Sequence, residues 1–263
     1  LCCIWYGACW TNGDFNGSVD IGGIITEEDY RQNWSWAVGS GFDKYEHSTS
    51  QLTEQSTKLT ISVDKNMPIL LGKTLDVYPK NIQNGQGASP QITYTGFDGA
   101  KLEMVSAGPE GLVTMDVPVK DKNGQDETGK LTINGMLVNA TAYLFGNEIY
   151  MGSLIGSKPG EIFYGGTPVN IDEGAPNSDT NIFAELPTKD DFVSMITAKY
   201  PGTSFSGYNS GGLHGDASGK LNGGVGAYGF GLKSGQTLVV KFDKAVTGAT
   251  EWVAPINVQV SYY

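Results

Sequence analysis

The chain has 263 residues, 39% hydrophobic and 17% charged, with 37 glycines and 11 prolines, a composition that suits strands and turns and fits neither a disordered chain nor a helical bundle. Lys and Arg number 17 against 28 Asp and Glu, a net charge of −11, which repels polyanions and excludes nucleic acid as a partner. No run approaches the roughly 18 to 20 apolar residues of a membrane span, the most apolar short stretch being Met67–Leu71, so membrane insertion is not expected.

Residues 1–9, LCCIWYGAC, hold all three cysteines and carry the small pair Gly7-Ala8 before Cys9. They read as the remnant of a secretory signal peptide, whose removal would leave no cysteine to form a disulfide. Residues 10–25 follow as a long extended strand, with Phe15, Gly17, Val19, Ile21, Gly23 and Ile25 on one face and Asn16, Ser18, Asp20 and Gly22 on the other. Glycines on the apolar face weaken an ordinary strand. They suit a strand that slides into a preformed groove with pockets of differing depth, joining one molecule to the next by strand addition; an ordinary first strand of the chain's own sheet is the plainer reading.

Period-two alternation then recurs at Trp34/Trp36/Val38, Leu59/Ile61/Val63, Ile92/Tyr94, Val113/Met115/Val117/Val119, Leu131/Ile133 and Leu238/Val240/Phe242. These half-buried strands are separated by turn clusters such as Gln83–Gly87, Asp121–Gly124 and Lys233–Gly235, the pattern of an all-β sandwich. The rhythm lapses between about Leu144 and Ala217. That stretch has one helix candidate, Thr188 to Tyr200, where Thr188 caps, Asp190 and Asp191 favour the helix dipole, Phe192, Met195 and Ile196 form a stripe, and Pro201-Gly202 ends it. It reads as an insertion into the sandwich, either a binding element or a cover for a sheet edge. At the far end Ile256, Val258, Val260 and Tyr262 alternate almost to the last residue, an apolar strand that needs a partner.

Catalytic signals are weak. His47 and His214 stand 167 positions apart with no nucleophile-elbow sequence nearby, and the cysteines lack zinc-ligand spacing. Gly224-Val-Gly226-Ala-Tyr-Gly229 satisfies G-x-G-x-x-G without the helix and later acid of a dinucleotide fold. The acid pairs Glu27-Glu28, Asp172-Glu173 and Asp190-Asp191 would serve a glycosidase only across a cleft, and no loop has EF-hand spacing. No enzyme activity, cofactor or metal is expected. The sequons at Asn16, Asn33 and Asn139 would matter only in a eukaryotic secreted chain.

The segments GDFNGSVDIGG (13–23), IT-x-x-DYR-x-x-W-x-W (25–36), PILLGKT (68–74), FYGG (163–166), SGQTLVVKFDKAV (234–246) and WVAPINVQVSYY (252–263) resemble those of the FaeG-type adhesive major subunits of chaperone–usher fimbriae from enteric Gram-negative bacteria. The ends match over about 60 residues and the middle in islands. The resemblance implies an incomplete immunoglobulin-like sandwich lacking its last strand, completed by donor-strand exchange and exported through the periplasm to a fimbria on the bacterial surface. A periplasmic chaperone would pair first along Ile256, Val258, Val260 and Tyr262, and an outer-membrane usher would then let the next copy's Phe15, Val19, Ile21 and Ile25 take its place. The pilin core would span 26–139 and 218–263, with 140–217 as an inserted loop-and-helix receptor-binding subdomain for the glycans of host intestinal glycoproteins or glycolipids. A galactose-binding variant of the family carries an aromatic, an acidic residue and an arginine before FYGG, at positions that here hold Ile155, Ser157 and Gly160. The resemblance therefore implies a changed glycan or pose, with Tyr150, Lys158, Glu161 and Tyr164 as the remaining candidates alongside Ile155 and Ser157. A structural or capsule-like subunit without lectin activity is the alternative reading.

Overall fold

The computed structural model describes residues 29–168, 176–209 and 214–263. The expected donor segment 10–25 and the signal remnant 1–9 lie outside them.

Strands dominate, as the alternation requires. The first layer holds β2 (Lys58–Ser62), β5 (Met104–Ser106), β6 (Leu112–Asp121), the N-terminal half of β7 (Glu127–Phe145) and β11 (Thr237–Phe242). Side-chain alternation puts Leu59, Ile61, Val113, Met115, Val117, Val119, Leu131, Ile133, Leu238 and Val240 into one core. The β6–β7 register pairs Met115 with Ile133 and Val117 with Leu131, and β11 joins β7 to β2 by pairing Leu238 with Ile133 and with Ile61.

The opposing layer is built from β1 (Trp34–Val38), β3 (Met67–Thr74) and β10 (Val225–Leu232), with β4 (Pro90–Thr95) and β13 (Asn257–Tyr262) forming a separate two-stranded sheet. β12 (Trp252–Val253) pairs with β6. The 19-residue β7 serves both layers. Its residues 129–134 pair with β11 and its residues 136–142 with β10, and the change comes at Gly135, where a Cβ would lie 2.6 Å from the Gly231 carbonyl oxygen. Only a residue without a side chain lets the two backbones pass this closely.

β10 is buried along its whole length. Tyr228, Phe230 and Leu232 face the main core, whereas Val225 and Ala227 face a second one with Val138, Ala140, Ala142 and Leu144 of β7. That second core is roofed by α1 (Lys189–Lys199), through Phe192 and Ile196, and by Phe183 and Leu186 before it. Thr188 caps α1 in a capping box with Asp191, the side chain of each meeting the other's backbone N–H, so the expected helix is present with its cap and stripe. It covers the face of the sheet rather than an edge. The same stretch contributes β8 (Glu148–Gly152), antiparallel to the end of β7, and β9 (Ser204–Tyr208), parallel to β8. The expected insertion boundary at 140 thus falls inside β7, and the one at 217 falls at the first residue of α2 (Ala217–Lys220).

Candidate functional site: an apolar groove beside the C-terminal strand

β13 pairs along one edge with β4, Val258 opposite Tyr94 and Val260 opposite Ile92. Among the described residues no strand pairs with its other edge. Asn257, Gln259 and Ser261 are exposed, while Val258, Val260 and Tyr262 of the strand and Ile256 just before it are half-buried and pack against the main core. β1 likewise pairs only with β3 among the described strands. The two free edges meet at one end, where the Trp36 indole Nε1 donates to the Tyr262 hydroxyl at 2.9 Å. A groove of about 1210 Å³ lies by the opposite ends of the two strands, with Val38 of β1 and Val258 of β13 in its lining.

The floor of the groove is the first layer's inner face: Leu59, Leu131, Ile133, Leu238 and Phe242. One wall is Val38 to Phe42 with Tyr45 and Leu52, and the other is Trp252 to Ala254 with Ile256 and Val258. Val38 is 72% exposed at its rim. Among the described residues the site therefore combines an apolar bed with two strands, β1 and β13, that each pair along one edge alone. Asp43, Glu46, His47, Ser48, Lys122 and Glu251 also line it. What it can do is receive an extended segment, pairing its backbone and burying alternate side chains.

Over almost its entire length, residues 2–263, the chain matches the model of a family described as fimbrial, major and minor subunit. It belongs to that family. This fimbrial subunit is 35% identical over 267 residues to the K88 fimbrial protein AD of Escherichia coli, covering 97% of this chain and 93% of that one. It is 34% identical to the K88 fimbrial protein AB, over 97% and 93% of the two chains. With the F41 fimbrial protein, also of Escherichia coli, it shares 28% identity over 97% and 92%. The fold of the fimbrial subunit is mostly β, and its place is the surface fimbria. Among the described residues no helix is long and apolar enough to cross a membrane.

The expected glycan-binding residues do not form one cluster in this subunit. Ile155 is 1% exposed and presents no side-chain surface to a ligand. Ser157, Lys158 and Glu161 form a tight turn in which the Glu161 carboxylate Oε2 accepts from the Ser157 amide at 2.8 Å, the Ser157 hydroxyl at 2.9 Å and the Lys158 amide at 3.3 Å. Burial pushes the Glu161 carboxyl up, but these hydrogen bonds outweigh it and hold the group below the usual carboxylate range. His214 closes the turn, with its Nδ1 3.1 Å from the Ser157 hydroxyl and 3.6 Å from Glu161. Glu161 is thus occupied internally. Tyr164 is half-buried, its carbonyl accepting from the Ile92 amide at 2.8 Å. Tyr150 stands apart on β8, donating to Glu148 at 2.8 Å.

Sequence reasoning missed the residues of the groove's first wall, Gly39 to Leu52, because an irregular loop carries no periodic signal.

Proposed function

We infer that this subunit polymerises by donor-strand exchange, the segment 10–25 of one copy entering the groove between β1 and β13 of the next. The observation that carries the reading is an apolar bed beside two strand edges that no described strand pairs with, in a chain whose N-terminal segment alternates Phe15, Val19, Ile21 and Ile25 on one face. Each of those side chains would contribute roughly 1.5 to 3 kcal/mol on burial, added to the backbone ladder. Before assembly the same edge, with Ile256, Val258, Val260 and Tyr262 alternating along it, suits a strand from a periplasmic chaperone, with an outer-membrane usher as the place of exchange. The mechanism is non-covalent throughout.

As a fimbrial adhesin the subunit would also bind host cell-surface glycans through the region 140–217, which is well suited to it because α1 and β8–β9 form a rigid layer backed by their own core. The burial of Ile155 and the internal satisfaction of Glu161 favour a second reading, a structural subunit without lectin activity.

The decisive experiment on assembly replaces Ile21 with Asp, which would carry an unpaired charge into an apolar bed at a cost of several kcal/mol. Secreted subunits should then accumulate as unassembled species, and normal fibres from Ile21→Asp would refute the donor assignment. A glycan array probed with the full chain separates adhesin from purely structural subunit.

A further inference from the structure

We propose that the exposed face of the three-stranded patch formed by the end of β7 with β8 and β9 is a binding surface for a neutral pyranose sugar; the proposal rests on the glycan-binding reading above and moves its site away from the turn at 155–164.

The register sets Tyr143 opposite Tyr150 and Phe145 opposite Glu148. Alternation sends Leu144, Ile149 and Met151 into the second core, so Tyr143, Phe145, Glu148 and Tyr150 share the outward face. Phe145 is 74% exposed, unusual for a phenylalanine on a strand. The β8–β9 pairing slips by one residue between Ile149 and Tyr150, a bulge that sets Ser206 and Gly207 together against Tyr150. A Cβ built on Gly207 would meet nothing within 4 Å, so the position facing Tyr150 in the register has room for a side chain to begin.

The polar groups on this face are already oriented. Glu148 accepts from the Tyr150 hydroxyl at 2.8 Å and from the Ser206 hydroxyl at 3.3 Å, and the two hydroxyls are 3.4 Å apart. Tyr143 is held from the far side: the Asn209 amide donates to its hydroxyl at 2.6 Å, Lys220 donates at 3.4 Å, and the Lys220 ammonium sits 4.7 Å from its ring centre. A pyranose has C–H groups on one face and hydroxyls around its rim. Its apolar face fits the rings of Tyr150 and Phe145, while its hydroxyls can donate to the exposed Glu148 carboxylate and exchange hydrogen bonds with Ser206. The exposed acceptor is a carboxylate, each oxygen of which takes one of these bonds and keeps a second lone pair, and the Lys220 ammonium is engaged with Tyr143, in a chain of net charge −11. That electrostatic setting selects a neutral sugar over a sialylated or sulfated one.

The test titrates the full chain with the methyl glycosides of galactose, glucose, mannose and N-acetylglucosamine, followed by saturation-transfer NMR, beside an array that includes acidic glycans. The expected result is binding of at least one methyl glycoside, weakened at least tenfold by Tyr150→Ala and by Glu148→Gln and unchanged in the double variant Lys158→Ala/Tyr164→Ala. Gly207→Trp is the second probe, since a Cβ there meets nothing within 4 Å and the added bulk starts beside Tyr150 in the register; it should abolish binding with the melting temperature unchanged. Binding lost in the Lys158/Tyr164 variant and kept in the other three would overturn the proposal and leave the glycan reading standing. Binding of acidic glycans alone would do the same. Failure of the parent chain on every sugar and on the array would overturn both.

Discussion

Two buried tyrosines show how single polar atoms bind the layers together. The Tyr228 hydroxyl donates to the Gly166 carbonyl at 2.6 Å and lies 2.9 Å from the Tyr94 hydroxyl, and both rings are fully buried. Burial pushes both phenols well above their ordinary range, so they remain neutral. Tyr228→Phe would strand the Gly166 carbonyl and the Tyr94 hydroxyl, and the expected loss is about 1 to 3 kcal/mol in denaturant unfolding. Glu161 acts in the same way at the turn 157–161, with charge added. Its carboxyl is held below the ordinary value of 4.5, so the stability it supplies is complete above that pH and disappears as pH falls through the lower, folded-state value. Glu161→Gln should therefore flatten part of the decline in unfolding free energy as pH falls below 4.5; an unchanged slope would show that the turn contributes nothing. Asn139, a sequon residue in sequence, is wholly buried, its amide donating to the Leu154 carbonyl at 3.0 Å and its oxygen accepting from the Leu154 amide at 2.7 Å.

At the scale of elements, β10 is the strand with least tolerance. Gly231 would place a Cβ 2.3 Å from the Met67 carbonyl oxygen, and Gly229 would place one 2.7 Å from the Phe183 ring. The first obstacle is backbone and cannot rotate away, so Gly231→Ala should destabilise by roughly 1 to 3 kcal/mol, seen as a lower denaturation midpoint. These glycines also explain why β10 was not legible in the sequence. A strand buried on both faces alternates nothing, and glycine admitted for close approach resembles a loop. β3 was hidden for a related reason, its Met67–Leu71 run being apolar without period. By contrast β1, β2, β4, β6, β11 and β13 could be read because one face of each meets the core and the other does not, and α1 because cap, stripe and stop coincide. β8 and β9 were missed because β8 ends in the buried pair Met151–Gly152 and β9 buries no residue fully, so neither alternates cleanly between apolar and polar. Of the candidate site, the apolar face of β13 was legible, and the groove was not, since its floor comes from β2, β7 and β11 and only packing brings them together.

For the whole molecule, the consequence is a groove whose floor belongs to the main core and whose walls are only half-buried or exposed among the described residues. Residues on the floor and on the wall should answer differently to the same charge. Ile133 is 1% exposed, so Ile133→Asp should prevent folding, an unpaired buried charge being worth many times the stability margin of a domain. Val258 is only half-buried at the wall, so Val258→Asp should leave the isolated subunit folded by circular dichroism and yet block fibre formation in electron micrographs. Intact fibres from Val258→Asp would separate the groove from assembly.

β7 gives the molecule one further property. A single 19-residue strand runs from the sandwich into the layer that carries α1, β8 and β9, bonded to neighbours on both edges. A load applied to that outer layer enters the sandwich along this strand and reaches rows of backbone hydrogen bonds side by side rather than one after another. Because β7 itself joins the outer layer to the body, pulling on that layer tensions both as one mechanical piece.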